Sequence, residues 1–113
     1  MVKNYIPERG DIVLLDFNPQ SGKEQAGKRP AVVISPKAYN AKVGLAIFCP
    51  ITSKIKNYPF EVILPSRLKT KGVVLADHVK NLDWQVRNSH FLEKLPDQCL
   101  REVLDKLGLL LFE

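Results

Sequence analysis

The sequence predicts a mainly β domain with some helix: five to seven short, mostly antiparallel strands in a barrel-like sheet, closed by a C-terminal helix. Three observations carry this. The apolar runs are short, rich in β-branched residues and bounded by Gly, Pro, Asn or Asp, the pattern of strands set between turns. Only the final stretch keeps an apolar face at helical spacing over a full helix length. Across 113 residues there is no repeat, low-complexity tract or second domain, so residues 1–113 read as one domain large enough to bury a core.

In order, residues 1–10 form an arm or short edge strand, since Pro7 cannot donate to a central ladder. Residues 11–17 are the first strand, and a loop rich in turn residues runs from Asn18 to about Lys28. Loops of that length in a compact domain are usually functional. Residues 31–35 form the second strand, and residues 36–41 read as one or two helical turns with Ser35 as N-cap and Pro36 at the first helical position. Residues 45–49 are so continuously apolar that both faces of that strand must be covered. Pro50 ends its central ladder, residues 51–53 continue at a sheet margin, and residues 54–59 make a basic loop bearing Tyr58. Residues 60–64 and 72–76 supply two more strands, and 77–82 alternate polar with apolar as a half-buried strand does. In the helix over 96–111, Leu100, Val103, Leu104, Leu107 and Leu111 face one way and Arg101, Glu102, Asp105 and Lys106 the other. Pro96 and Asp97 suit its first turn.

The charge is uneven. Residues 1–41 carry six Lys/Arg against four Asp/Glu, residues 42–80 seven against two, and residues 81–113 four against six. The basic middle third points to a polyanionic partner, nucleic acid or an acidic protein segment. No basic amphipathic helix favours a membrane surface, and neither a membrane-spanning run nor a signal peptide is visible, so the expected location is the cytoplasm. Cys49 and Cys99, each among apolar residues and outside any C-x-x-C pair, read as reduced thiols. His78 and His90 lie in no metal-ligand spacing, and no nucleotide or hydrolase fingerprint occurs; neither metal nor cofactor is expected.

What remains is a set of polar groups beside strand ends: Glu24, Lys28, Arg29, Thr52, Ser53, Lys54, Lys56 and Lys80. The chemistry they suit best is phosphodiester transfer in RNA. Arg29 can neutralise phosphoryl charge through bidentate donors, and the Thr52 hydroxyl can add another donor. Glu24 can accept the 2′-hydroxyl proton if burial raises its pKa. On residues alone two readings stay open: a working site, or a solvated hairpin tip in which Glu24 and Arg29 merely stiffen the loop. Tyr58 and His78 could stack on or read unpaired bases, with plain packing an equal reading for Tyr58.

These same residues carry a resemblance. Gly10-Asp11 through Asp16-Phe17-x-Pro19, then Gly22-x-Glu24-Gln25-Ala26-Gly27-x-Arg29-Pro30-Ala31-Val32-Val33, resembles the MazF/PemK toxin family. So do Pro50-x-Thr52, Tyr58-Pro59-Phe60-Glu61-Val62 and Gly72-Val73-x-Leu75-Ala76-Asp77-x-Val79-Lys80, in the family's order. The resemblance implies the SH3-like small barrel shared with the CcdB gyrase poisons, acting as a homodimer. It implies the toxin of a type II toxin–antitoxin system: a metal-independent, sequence-specific endoribonuclease that cuts single-stranded mRNA to 2′,3′-cyclic phosphate and 5′-hydroxyl ends. The family's catalytic arginine, threonine and loop glutamate fall on Arg29, Thr52 and Glu24; its RNA-contacting positions correspond to Lys28, Lys56, His78, Lys80 and Arg87. The implied protein partner is a cognate acidic antitoxin whose disordered tail occupies the RNA groove. His78 and residues 54–57 depart from relatives where bases are read, so the recognised sequence does not transfer. The competing expectation is a non-catalytic toxin of the same fold that binds a protein such as gyrase.

Overall fold

The computed structural model describes residues 5–17 and 27–113. Its elements are β1 (Asp11–Asp16), β2 (Lys28–Val33), α1 (Lys37–Val43), β3 (Leu45–Thr52), β4 (Glu61–Ile63), β5 (Val73–Leu75), β6 (Lys80–Asp83), β7 (His90–Lys94) and α2 (Asp97–Phe112). All strand pairs are antiparallel, and the hydrogen-bonded path runs β4-β5-β3-β2-β1-β7, with β6 also on β3. Phe48 pairs with Val33 of β2 and with Lys80 of β6, so β6 lies on the edge of β3 opposite β2, which β5 also occupies. The path ends on β4 and β7 without joining them, so the expected barrel is a sheet left unclosed among the described residues.

The long central strand β3 explains the architecture. Its alternate side chains enter two cores, as the continuous apolar run requires. Cys49 and Ile51, with Ile12 and Val32, face the cluster under α2, where Val103 and Leu107 are buried. Burying each of those helix side chains contributes about 2 kcal/mol. Ala46 and Phe48, with Val13, Leu15, Ala31 and Val33, face a second cluster capped by Trp84. Phe48 is fully buried, the largest side chain to be so.

A buried polar hub ties the second cluster to the chain's start. Asn40 Nδ2 donates to the carbonyls of Pro7 (2.7 Å) and Ser35 (3.1 Å), while Asn40 O accepts from Trp84 Nε1 (3.1 Å). The Ser35 hydroxyl donates to Asn40 Oδ1 at 2.5 Å and accepts from the Ile47 amide at 2.8 Å. This corrects one expectation: with its hydroxyl so engaged, Ser35 does not cap α1, and Pro36 is the N-cap residue, without a side-chain cap. Pro96 likewise sits at the N-cap of α2, with Asp97 in the first turn.

Three further differences follow from packing. Residues 77–79 are a turn, closed by the His78 amide on Leu75 O at 3.1 Å, and the strand begins only at Lys80. Strand β7 was not foreseen; it pairs with β1 across a bulge, Ile12 facing Glu93 and Val13 facing Phe91 so that Leu92 is the extra residue. Residues 5–10 of the N-terminal arm form no strand, although Pro7 is buried. Residues 18–26, which carry Glu24, lie outside the described residues.

Candidate active site

Arg29 and Thr52 extend from the same end of one ladder. The β2–β3 pairing runs out at Ala31–Pro50, and Arg29 on β2 and Thr52 on β3 each lie two residues beyond that pair. Alternation places both on the face that carries Ala31, Val33, Ala46 and Phe48, so they stand at the open rim of the second core. Arg29 is directly opposite Leu15 of β1. Among the described residues no carboxylate pairs with Arg29, and its side chain is exposed.

Thr52 is held from behind and oriented from the side. Its Oγ1 accepts the Lys54 amide at 3.1 Å. A hydroxyl has one hydrogen to give, so this acceptance leaves that hydrogen for a substrate oxygen. Behind it, Gly72 takes φ +119°, and a Cβ built there would lie 2.1 Å from the Thr52 carbonyl oxygen. Only glycine allows this approach.

Lys80 joins the same face. It pairs with Phe48, and its Nζ lies 5.9 Å from the centroid of the Phe17 ring, just past the end of β1. Lys28, one residue from Arg29, projects to the other side of the strand by alternation, with Nζ 4.0 Å from Asp16 Oδ1. The sequence brought the two together; the pleat separates them.

Lys56 and His78 lie on two linked exposed segments. The amides of Lys56 and Tyr58 donate to the Glu61 carboxylate at 3.0 and 3.3 Å. The Tyr58 hydroxyl donates to Asp77 Oδ2 at 2.8 Å, which brings the 54–59 loop against the 77–79 turn. That hydrogen bond, and then the charge of Asp77, push the Tyr58 phenol above its usual range. His78 is exposed, with Nε2 3.8 Å from Asp77 Oδ1. Cys49, beneath the turn, is pushed up to about 12 by burial and secondarily by Asp77, which keeps it an unreactive thiol.

Arg87 has one guanidinium nitrogen engaged with the end of β1. Its Nη1 donates to the carbonyls of Asp16 (3.1 Å) and Phe17 (2.5 Å), and its own carbonyl accepts the Asp16 amide at 2.9 Å. It fastens the end of β1, where the loop bearing Glu24 begins. Among the described residues no cluster of three or more His, Cys, Asp or Glu is placed to hold a metal ion. Sequence reasoning missed Gly72, Phe17 and the Glu61 and Asp77 anchors. The one visible signal was Gly72 opening a strand, where glycine otherwise weakens β structure.

A seven-stranded antiparallel sheet with a C-terminal helix, bearing an arginine and a threonine on adjacent strand ends, defines a class of small toxin domains. The chain belongs to the family of PemK-like, MazF-like toxins of type II toxin–antitoxin systems, whose model matches residues 8–111. It is 41% identical to the Escherichia coli K12 endoribonuclease toxin MazF over 111 residues, 98% of this chain and 99% of that one. Its fold superposes on crystalline MazF from Deinococcus radiodurans with a TM-score of 0.88 at 52% identity, covering 97% of this chain and all of the other. A MazE–MazF crystal structure from the same organism gives 0.87 at 48% identity, covering 96% and 98%.

Proposed function

We propose that this chain is the toxin of a type II toxin–antitoxin pair, a sequence-specific endoribonuclease that cuts single-stranded mRNA in the cytoplasm without a metal ion and so arrests translation and growth. Its working form is a homodimer, and residues 1–113 act as one toxin domain. What supports the reading is a chain 41% identical to an endoribonuclease toxin, with Arg29 and Thr52 each two residues beyond the same end of the β2–β3 ladder.

The chemistry follows from what each group can do. The 2′-oxygen, giving up its proton, attacks the adjacent phosphorus; the bond to the 5′-oxygen breaks as that oxygen takes a proton from water, and a 2′,3′-cyclic phosphate and a 5′-hydroxyl remain. Negative charge grows on the non-bridging oxygens, where Arg29 gives parallel N–H donors and permanent charge. The Thr52 hydroxyl, already accepting from Lys54, turns its hydrogen to the same oxygens. Glu24 takes the 2′-hydroxyl proton or braces Arg29. Lys80, with Lys28 and Lys56 further out, draws in the backbone, and His78 meets bases; Arg87 serves by holding the end of β1.

Cleavage of a labelled oligoribonucleotide library in EDTA tests this. The wild-type protein cuts it, and Arg29→Ala lowers the rate by about a hundredfold or more, the scale of losing one transition-state donor, with an unchanged melting temperature. Full activity in that variant sinks the assignment. The competing non-catalytic toxin leaves the library intact.

A further inference from the structure

The basic loop over residues 54–59 has no ladder of its own, yet several anchors fix it. Lys54 is tied to Thr52, two amides converge on Glu61, and Asn57 between them takes the left-handed φ of +60°. Two anchors reach other segments: Pro59 O accepts from Lys106 Nζ of α2 at 2.7 Å, and the Tyr58 hydroxyl bonds Asp77, the one link to the 77–79 turn among the described hydrogen bonds. The Tyr58 ring sits tilted on Phe60, centroids 5.9 Å apart, so the hydroxyl is aimed by packing. Asp77 is a poor place for a chance contact: its side chain is only 18% exposed, and its Oδ1 is buried without a hydrogen-bond partner among the described residues.

We propose that the Tyr58 hydroxyl and Asp77 clamp the 54–59 loop to the 77–79 turn, so that Lys56 and His78 form one reader whose rigidity sets RNA sequence selectivity. Tyr58 and Asp77 are thereby positioning residues. This rests on the reading of Lys56 and His78 as RNA contacts. The Tyr58 end of the bond is exposed, so water replaces its hydroxyl at Asp77 Oδ2 and removing that hydroxyl alters stability little. Its effect is geometric. Without it the 54–59 loop keeps its ties to Glu61 and Lys106 but loses its link to the 77–79 turn, and a mismatched base is accommodated by a relative shift that the clamp forbids. Discrimination is lost faster than binding, because selectivity is a difference of affinities that a stiff site enlarges.

The experiment compares wild type, Tyr58→Phe, Asp77→Asn, Asp77→Ala and the double variant Tyr58→Phe/Asp77→Ala on a degenerate oligoribonucleotide library. The readout is the rate on the preferred sequence divided by the rate on its single-base variants, beside thermal melting of each protein. Tyr58→Phe lowers that ratio about fivefold to tenfold, the factor one net hydrogen bond is worth, with its melting temperature unchanged. Asp77→Ala lowers it similarly, Asp77→Asn restores it through the amide oxygen, and the double variant loses no more than either single one. An unchanged ratio in Tyr58→Phe, or losses that multiply in the double variant, overturns the clamp; multiplying losses make Asp77 a base reader in its own right. A library left intact by the wild-type protein overturns the ribonuclease reading together with the clamp, whereas cleavage with undisturbed selectivity overturns the clamp alone.

Discussion

At Gly72, φ of +119° and a built Cβ 2.1 Å from the Thr52 carbonyl oxygen leave no room for a side chain. Since the obstacle is backbone, relief has to come from moving Thr52 itself. Gly72→Ala should therefore cost at least about 2 kcal/mol of stability in denaturant unfolding, from strain at positive φ and the clash together. Cleavage per folded molecule should fall as well, because the Thr52 hydroxyl is displaced. Gly44, the αL cap of α1 at φ +82° with nothing within 4 Å of a built Cβ, is the control. Gly44→Ala should cost about 1 kcal/mol and leave cleavage per folded molecule intact. Glu93 shows a different residue-scale effect. Burial opposes its charge, but donors from Thr70 and the Lys69 amide outweigh it and hold its carboxyl below the usual range. A depressed folded-state pKa gives stability that is present above the ordinary value of 4.5 and lost as pH falls through the lower folded value. The stability gap between wild type and Glu93→Gln should therefore narrow on acidification below that value, as urea melts at several pH values will read.

Among elements, legibility tracked burial. Strands β1, β2 and β3 are read from sequence because both of their faces are apolar, and α2 because Val103 and Leu107 repeat at helical spacing. Strand β7 carries five residues of which four are exposed; only its pairing with β1 makes it a strand, and pairing leaves no local signal. Residues 77–79 alternate like a strand but must bridge an offset along β3. Between the Ile51–Val74 and Phe48–Lys80 pairs, β3 advances three residues and the partner segment six. The site divides in the same way. Arg29 and Thr52 were legible as residue types, and the β2–β3 ladder from whose end both extend was not. Arg87, a basic residue near the groove in sequence, is turned by its carbonyl partners into a fastener for the end of β1. Salt dependence separates these roles. Lys56→Ala should reduce the slope of log affinity for RNA against log salt by about 0.7, one phosphate contact on a single strand. Arg87→Ala should leave the slope unchanged and slow cleavage.

Across the whole molecule, the basic groups of residues 42–80 lie mainly on the loops and edges around β3, β5 and β6, while the acidic surplus belongs to the segment that ends in α2. On the proposed function this separation serves two polyanions in turn. An RNA backbone and the acidic, disordered antitoxin tail expected from the family resemblance would be attracted by the same lysines, so inhibition by occupation of the groove would need no allosteric change. A disordered tail loses conformational entropy on docking, and long-range charge is what speeds its capture. Raising salt from 50 to 500 mM shortens the screening length from roughly 14 Å to about 4 Å, which removes steering before it removes contacts. The association rate of the antitoxin tail should therefore fall steeply over that range while its dissociation rate changes little, as stopped-flow mixing with a labelled tail will show. An association rate indifferent to salt would mean that the tail is recognised by apolar contact, and that the basic third of the chain is reserved for RNA.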